Sequence, residues 1–132
     1  MKQLNVVTDN RPGILAHIAT ILGQNGINIE SIAAETFPAG DGAVVKLITK
    51  DSGSAKTILH KQNYIVSESD VLLLEMLDRP GELGKIAERL SRDKVNIESI
   101  ILMAKNGGKA ILALKVDNMA LARKAMHGYL GN

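Results

Sequence analysis

Apolar and polar positions along the chain set out one series of elements twice. Residues 4–8 (LNVVT) and 71–77 (VLLLEML) are short apolar runs of strand length. After each comes a stretch with apolar residues three and four apart. The first holds Ile14, Leu15, Ile18, Ala19, Ile21 and Leu22; the second holds Leu83, Ile86, Ala87 and Leu90. That spacing predicts two helices, each with one buried stripe. In the second helix the expected wet face is Glu82, Lys85, Glu88, Arg89 and Arg92. Pro12 and Pro80 suit a first helical turn, where no amide donor is needed. Gly26 suits the left-handed residue that closes a helix.

Paired strands are predicted next, over 27–37 and 43–50 around the turn PAGDG, and over 95–105 and 109–116 around NGG. Second helices are predicted over 52–62 and 118–127, and a last strand over 63–67. In the strands after the first helices, Ile29 and Ile97 are expected to face the helices, with Asn28, Glu30, Asn96 and Glu98 on the other side. The order is βαββαβ, twice. This is an α+β plan, two ferredoxin-like units each with an antiparallel sheet and its helices on one face.

A shift of 68 residues lays residues 11–32 (RPGILAHIATILGQNGINIESI) on 79–100 (RPGELGKIAERLSRDKVNIESI), with 12 of 22 positions identical and no gap. The chain is a duplication, divided as 1–69 and 70–132. The last strand of the second unit is expected to be short or missing, since only YLGN stands where it would lie. An unpaired sheet edge invites strand addition, so self-association, as a dimer, is expected.

Composition removes several function classes. There is no cysteine, which excludes disulfides, thiol catalysis and thiolate metal sites and fits a cytoplasmic setting. No apolar run has the length of a membrane helix. The net charge is only +2, with scattered basic residues, and the only aromatics are Phe37, Tyr64 and Tyr129. Neither a phosphate-tracking stripe nor a base-stacking sheet is present, which argues against nucleic acid. His17, His60 and His127 fall on predicted helices out of register with the repeat, so no catalytic pair is expected. SGSAKT (residues 52–57) lacks the glycines of a phosphate loop and reads as the first turn of a helix. No cofactor or metal is called for.

The duplicated loop between the first strand and the first helix is the best candidate site. It comprises Asn10, Arg11, Pro12 and Gly13, matched by Asp78, Arg79, Pro80 and Gly81. Free amides at a helix start suit a carboxylate. The Asn10 or Asp78 oxygen can accept from an ammonium group, and Gly13 and Gly81 allow close approach to the backbone. The plainer reading is helix capping. Asn28 and Asn96, at the start of NIESI, each donate and accept, which suits an amino acid held between two units; the plainer reading is turn chemistry.

These residues resemble the ACT domain, a small βαββαβ module of amino-acid metabolism. The similarity lies in Asn-Arg-Pro-Gly followed by GIN(I) in DNRPGILAHIATILGQNGINIESI, and its duplication is similar to that of small double-ACT proteins. GINIESI also resembles the small regulatory subunit of acetolactate synthase. The resemblance implies a non-catalytic regulatory protein that binds a small amino acid at a seam between ACT units. The loop Asn (Asn10, or Asp78) and the strand-two Asn (Asn28, or Asn96) would hold the ligand, and a metabolic enzyme is an implied partner. The alternative is a ligand-free interaction subunit of an amino-acid biosynthetic enzyme. The serine-binding pattern also has a histidine two residues before the loop Asn, where this chain has Thr8 and Met76. Lys94 stands in place of the capping Gly26; either a left-handed lysine is accepted there at a cost of about 1 kcal/mol, or the loop changes shape.

Overall fold

The computed structural model describes residues 1–130. The chain forms two compact units, Met1–Ser69 and Asp70–Asn132. Unit 1 runs β1 (Lys2–Asp9), α1 (Ile14–Gln24), β2 (Ser31–Thr36), β3 (Gly42–Ile48), α2 (Ser52–Lys61) and β4 (Ile65–Asp70). Unit 2 runs β5 (Leu72–Leu77), α3 (Glu82–Arg92), β6 (Ile97–Asn106), β7 (Lys109–Val116), α4 (Met119–Ala125) and one 3-10 turn, His127–Tyr129.

In unit 1 the strand order is β2-β3-β1-β4, and β3 pairs antiparallel with both β1 and β2. Unit 2 has the order β5-β7-β6, with antiparallel pairing throughout. At its last β position Leu130 makes a single antiparallel bridge to Leu74. The rest of the strand expected there falls on residues 131–132, outside the described residues. The architecture is α+β, with the ferredoxin-like βαββαβ arrangement in each unit.

Alternation builds each core. Leu4 and Val6 on β1, and Val45 and Leu47 on β3, point to the same side as Ile14, Ile18 and Leu22 of α1. Unit 2 repeats this with Leu72, Leu74, Leu112 and Leu114 against Ile86 and Leu90. Side chains two apart on a strand share a face, and residues four apart on a helix form one row. Each fully buried Leu or Ile contributes roughly 1.5–3 kcal/mol of transfer free energy.

Four expectations need correction. Leu15 and Leu83 are not in the buried stripe: they are 46% and 45% exposed. The stripe is narrower, running in steps of four through Ile14, Ile18 and Leu22. Its counterpart in α3 begins with Glu82, which is buried rather than wet. Pro12 and Pro80 stand two residues ahead of the helices, which begin after a left-handed glycine (Gly13, φ 92°; Gly81, φ 88°). Finally, β2 begins at Ser31, four residues later than expected. Pairing with β3 starts there, and only the Glu30 amide, bonded to the Ile48 carbonyl at 2.8 Å, reaches further back. The same NIESI enters β6 earlier, from Ile97, through a register shift between Ile97 and Ser99. Ile29 and Ile97 each pack on the core of their own unit.

Both first helices close with the same turn. The Ile27 amide donates to Leu22 O (2.9 Å) and Gly26 to Gly23 O (3.0 Å); Val95 donates to Leu90 O (2.9 Å) and Lys94 to Ser91 O (3.0 Å). These are the paired bonds of a Schellman cap, which needs a left-handed residue. Gly26 supplies it at φ 73° and Lys94 at φ 59°. The lysine keeps the turn rather than changing its shape. The turn sets Asn28 and Asn96 two residues beyond it.

Candidate functional site

The loops before α1 and α3 are built alike. Asn10 donates its amide to the Asp41 carbonyl, and Asp78 donates to the Gly108 carbonyl at 2.9 Å. Each bond ties the loop to the hairpin turn that follows the second strand. Neither Asn10 nor Asp78 caps its helix. The N-cap positions are Gly13 and Gly81, with no side-chain cap bond. Capping therefore does not account for these two side chains.

The side chains then diverge. Asn10, Arg11, Pro12 and Gly13 are all exposed, and Arg11 makes only a loose pair with Asp9 at 3.9 Å. Asp78 is paired with Lys105 at 3.3 Å, so its charge is already answered. Arg79 turns back to Glu82, with Nε donating to Oε1 at 2.7 Å. Lys85 Nζ approaches the same oxygen at 3.4 Å. The bond from Arg79 holds the Glu82 carboxyl below its ordinary range; burial pulls the other way, and Lys85 adds to the lowering.

The strand-two asparagines lie at the other end of the first helices. α1 has 11 residues, so it is about 16 Å long at ~1.5 Å per residue. Asn10 precedes it and Asn28 follows it. Within unit 1 the structure does not bring these two together, and the same holds for Asp78 and Asn96 about α3. Exposed Asn28 lines a cavity of about 410 Å³ with Glu30, Lys50, Asp51 and Ser54. Asn96 is exposed as well, and its backbone is tied: the main-chain N–H donates to Asp117 Oδ1 at 2.9 Å, and the Asp117 main-chain N–H donates back to the Asn96 carbonyl at 3.2 Å. Lys50 occupies the matching place in unit 1, immediately before the N-cap of the second helix (Asp51; Asn118 in unit 2).

Sequence reasoning missed Glu82, Tyr64 and Tyr129. Each tyrosine lines a cleft beside the start of its unit's first helix. The signal for Glu82 was its alignment with buried Ile14. His17, His60 and His127 are exposed, and no group of metal-ligating side chains occurs among the described residues. No helix among them is long and apolar enough to cross a membrane. SGSAKT opens α2, where Asp51 accepts from the Ser54 amide at 3.0 Å.

The ACT domain family model matches residues 2–63. No curated protein matches the chain in sequence. Among solved structures, a protein from Bacteroides thetaiotaomicron superposes with a TM-score of 0.87 at 24% identity, covering 96% of this chain and 86% of its own. The ligand-free regulatory subunit of aspartate kinase from Thermus thermophilus gives 0.69 at 16% identity, with 96% and 90% covered. That of Thermus flavus gives 0.67 at 16%, again with 96% and 90% covered. At these identities the likeness is one of fold, while the family match falls on the unit that holds Asn10 and Asn28. Residues 2–63, just under half of the chain, are identified by this match as an ACT domain.

Proposed function

We propose that the chain is a non-catalytic regulatory protein that binds a small amino acid through the loop of unit 1. The observation that supports this most is Asn10. It is exposed at the head of α1, does not cap that helix, and is followed by a left-handed Gly13 that leaves the backbone open. An amide of this kind accepts from an ammonium and donates to a carboxylate. Amides at the helix start favour the carboxylate further.

Asn28 completes the reading only if it comes from a different ACT unit than Asn10. The length of α1, about 16 Å, exceeds what one small zwitterion spans. Self-association as a dimer would supply the second unit, and a site completed by docking gives the ligand a differential affinity for the docked state. In unit 2 the charge at Asp78 and its pairing with Lys105 disfavour the same use, so one class of site, formed from Asn10 and Asn28, is expected. The bound state would act on a metabolic enzyme.

A second reading is a ligand-free interaction subunit. Leu15 and Leu83, identical in the repeat and about half exposed, favour it. Melting temperature measured against each of the twenty amino acids separates the two. A ligand at 100 times its Kd adds about 2.7 kcal/mol, a shift of several degrees. Asn10→Ala and Asn28→Ala should each remove the shift while melting as cooperatively as the wild type. No shift with any amino acid would favour the interaction reading, and variants that lose their structure would make the asparagines structural.

A further inference from the structure

The chain has two tyrosines, and they occupy equivalent clefts. Each cleft lies where the first strand of the unit ends and its first helix begins. Each also takes the loop arginine and the basic residue six positions on: Arg11 and His17 with Tyr64, Arg79 and Lys85 with Tyr129. What fills them differs. In unit 1 the His17 Nδ1 and the Tyr64 hydroxyl are hydrogen-bonded to each other, and their ring centroids lie 5.6 Å apart. The base and the phenol satisfy one another, Ile14 forms part of the wall, and the cleft is about 310 Å³.

In unit 2 the cleft is about 550 Å³. Glu82 replaces the isoleucine, and Lys109 enters from β7, paired with Glu75 at 3.0 Å. A carboxylate in a core row is unfavourable unless it is paired. Here its Oε1 gathers Arg79 and Lys85, at 2.7 and 3.4 Å. The buried anion thus fixes two cations that are themselves 61% and 64% exposed at the cleft. Arg79 is held through Nε, so its two Nη groups remain, making no hydrogen bond among the described residues. A guanidinium presented this way suits an oxyanion. Three cations face two carboxylates, leaving one positive charge unanswered. The volume is that of a metabolite site.

We propose that this cleft of unit 2 binds a small metabolite through a carboxylate or phosphate oxyanion, with Arg79 and Lys109 as its principal contacts and Glu82 positioning the arginine. The site shares no residue with Asn10 or Asn28, so it stands or falls separately from the amino-acid reading.

The test is an amide-resolved NMR titration of the full chain with inorganic phosphate, and in a second arm with citrate, each replacing chloride at constant ionic strength. The expected result is saturable shifts of the Arg79, Gly128 and Tyr129 amides with at least one anion. Loss of a charged hydrogen bond weakens binding by about tenfold or more. Arg79→Ala and Lys109→Ala should each do so, and Arg11→Ala, at the equivalent place in unit 1, should leave binding unchanged. Lys109 is exposed and lies outside the core, so its variant stays informative if Arg79→Ala disturbs Glu82. Saturation with phosphate alone assigns a phosphate group, and saturation with citrate alone assigns a carboxylate. Shifts that never saturate with either anion, or that weaken equally in Arg11→Ala, would overturn the proposal.

Discussion

Lys94→Gly should stabilise this protein, because among the described residues the lysine side chain makes no hydrogen bond or ion pair that would be lost. Lys94 holds φ 59° at the Schellman cap of α3, in the position that Gly26 fills at φ 73° in α1. A left-handed L-residue costs about 1–2 kcal/mol. Glycine removes that strain but gives the unfolded chain more freedom, worth about 0.4–1 kcal/mol. The net gain is about 0–1.6 kcal/mol, at its middle value about 0.8 kcal/mol or roughly 2–5 °C in Tm for a domain of this size. Gly26→Ala is the mirror experiment. A Cβ built there meets nothing within 4 Å, so the loss, about 0.5–1 kcal/mol, is backbone strain alone. A third cap lies between these two. Asn63, at φ 65° after α2, sits in the same pair of bonds, Tyr64 N to Leu59 O at 3.1 Å and Asn63 N to His60 O at 2.9 Å. Asparagine tolerates this region better than lysine, so Asn63→Gly should gain less. Thermal melts at one fixed protein concentration give the ranking, and Lys94→Ala, which removes the charge but keeps the strain, separates the two causes. If Lys94→Gly lowers Tm, or Lys94→Ala raises it equally, backbone strain is not what distinguishes the caps.

Ile18 and Ile86 are wholly buried, one in each core. Ile18→Ala and Ile86→Ala should each cost about 2–5 kcal/mol, read as a lowered midpoint in urea. The acid limb of stability should report Glu82 and Asp51. Both have folded values below their ordinary 4.5 and 3.8, Glu82 through its bond from Arg79 and Asp51 through its bond from the Ser54 hydroxyl. The lowered values mean that the native state favours the ionised form. Their stabilisation is full above the unfolded values and is lost as pH falls through the folded ones. Glu82→Gln should therefore flatten the fall of Tm below about pH 4.5. An unchanged slope would remove Glu82 from that limb.

The repeat made the fold legible. Element order and the core rows through Ile18, Leu22, Ile86 and Leu90 follow from periodicity alone. Periodicity failed where two rows compete. Leu15 and Leu83 satisfy an i, i+3, i+4 pattern, but the sheet covers only the row of steps of four. It failed again at Glu82, because a helical pattern assigns every carboxylate to water. Only alignment with Ile14 shows that the position is inside. The β2 start was misjudged because NIESI alternates like a strand before β3 is alongside to pair with it. Asn10 and Asn28 were identifiable as polar candidates, each with a plainer structural reading beside the functional one. Their placement at opposite ends of α1 follows from the same element order, since the loop precedes the helix and Asn28 comes after it. The tyrosine clefts were hidden. Their register is 65, not 68, because the second hairpin turn is shorter and a 3-10 turn leads into Leu130.

Four of the differences between the two units lie together. Thr8 against Met76, Asn10 against Asp78, Ile14 against Glu82 and His17 against Lys85 all lie where the first strand gives way to the first helix. The matching core positions Ile18 and Ile86, Leu22 and Leu90 are identical. A duplicated unit tolerates little change where side chains are close-packed, since a single methylene is felt there. At the head of a helix, solvent screens charge and side chains have room. Glu82 is the informative exception, because it is a charged residue inside the packed row. A buried ion pair is weak evidence for stability, as well-packed apolar residues of similar volume often do as well or better. The isoleucine of unit 1 shows that this position accepts the apolar alternative. What Glu82 adds over Ile14 is a fixed arginine and lysine at the mouth of a cleft, and that difference is chemical rather than structural.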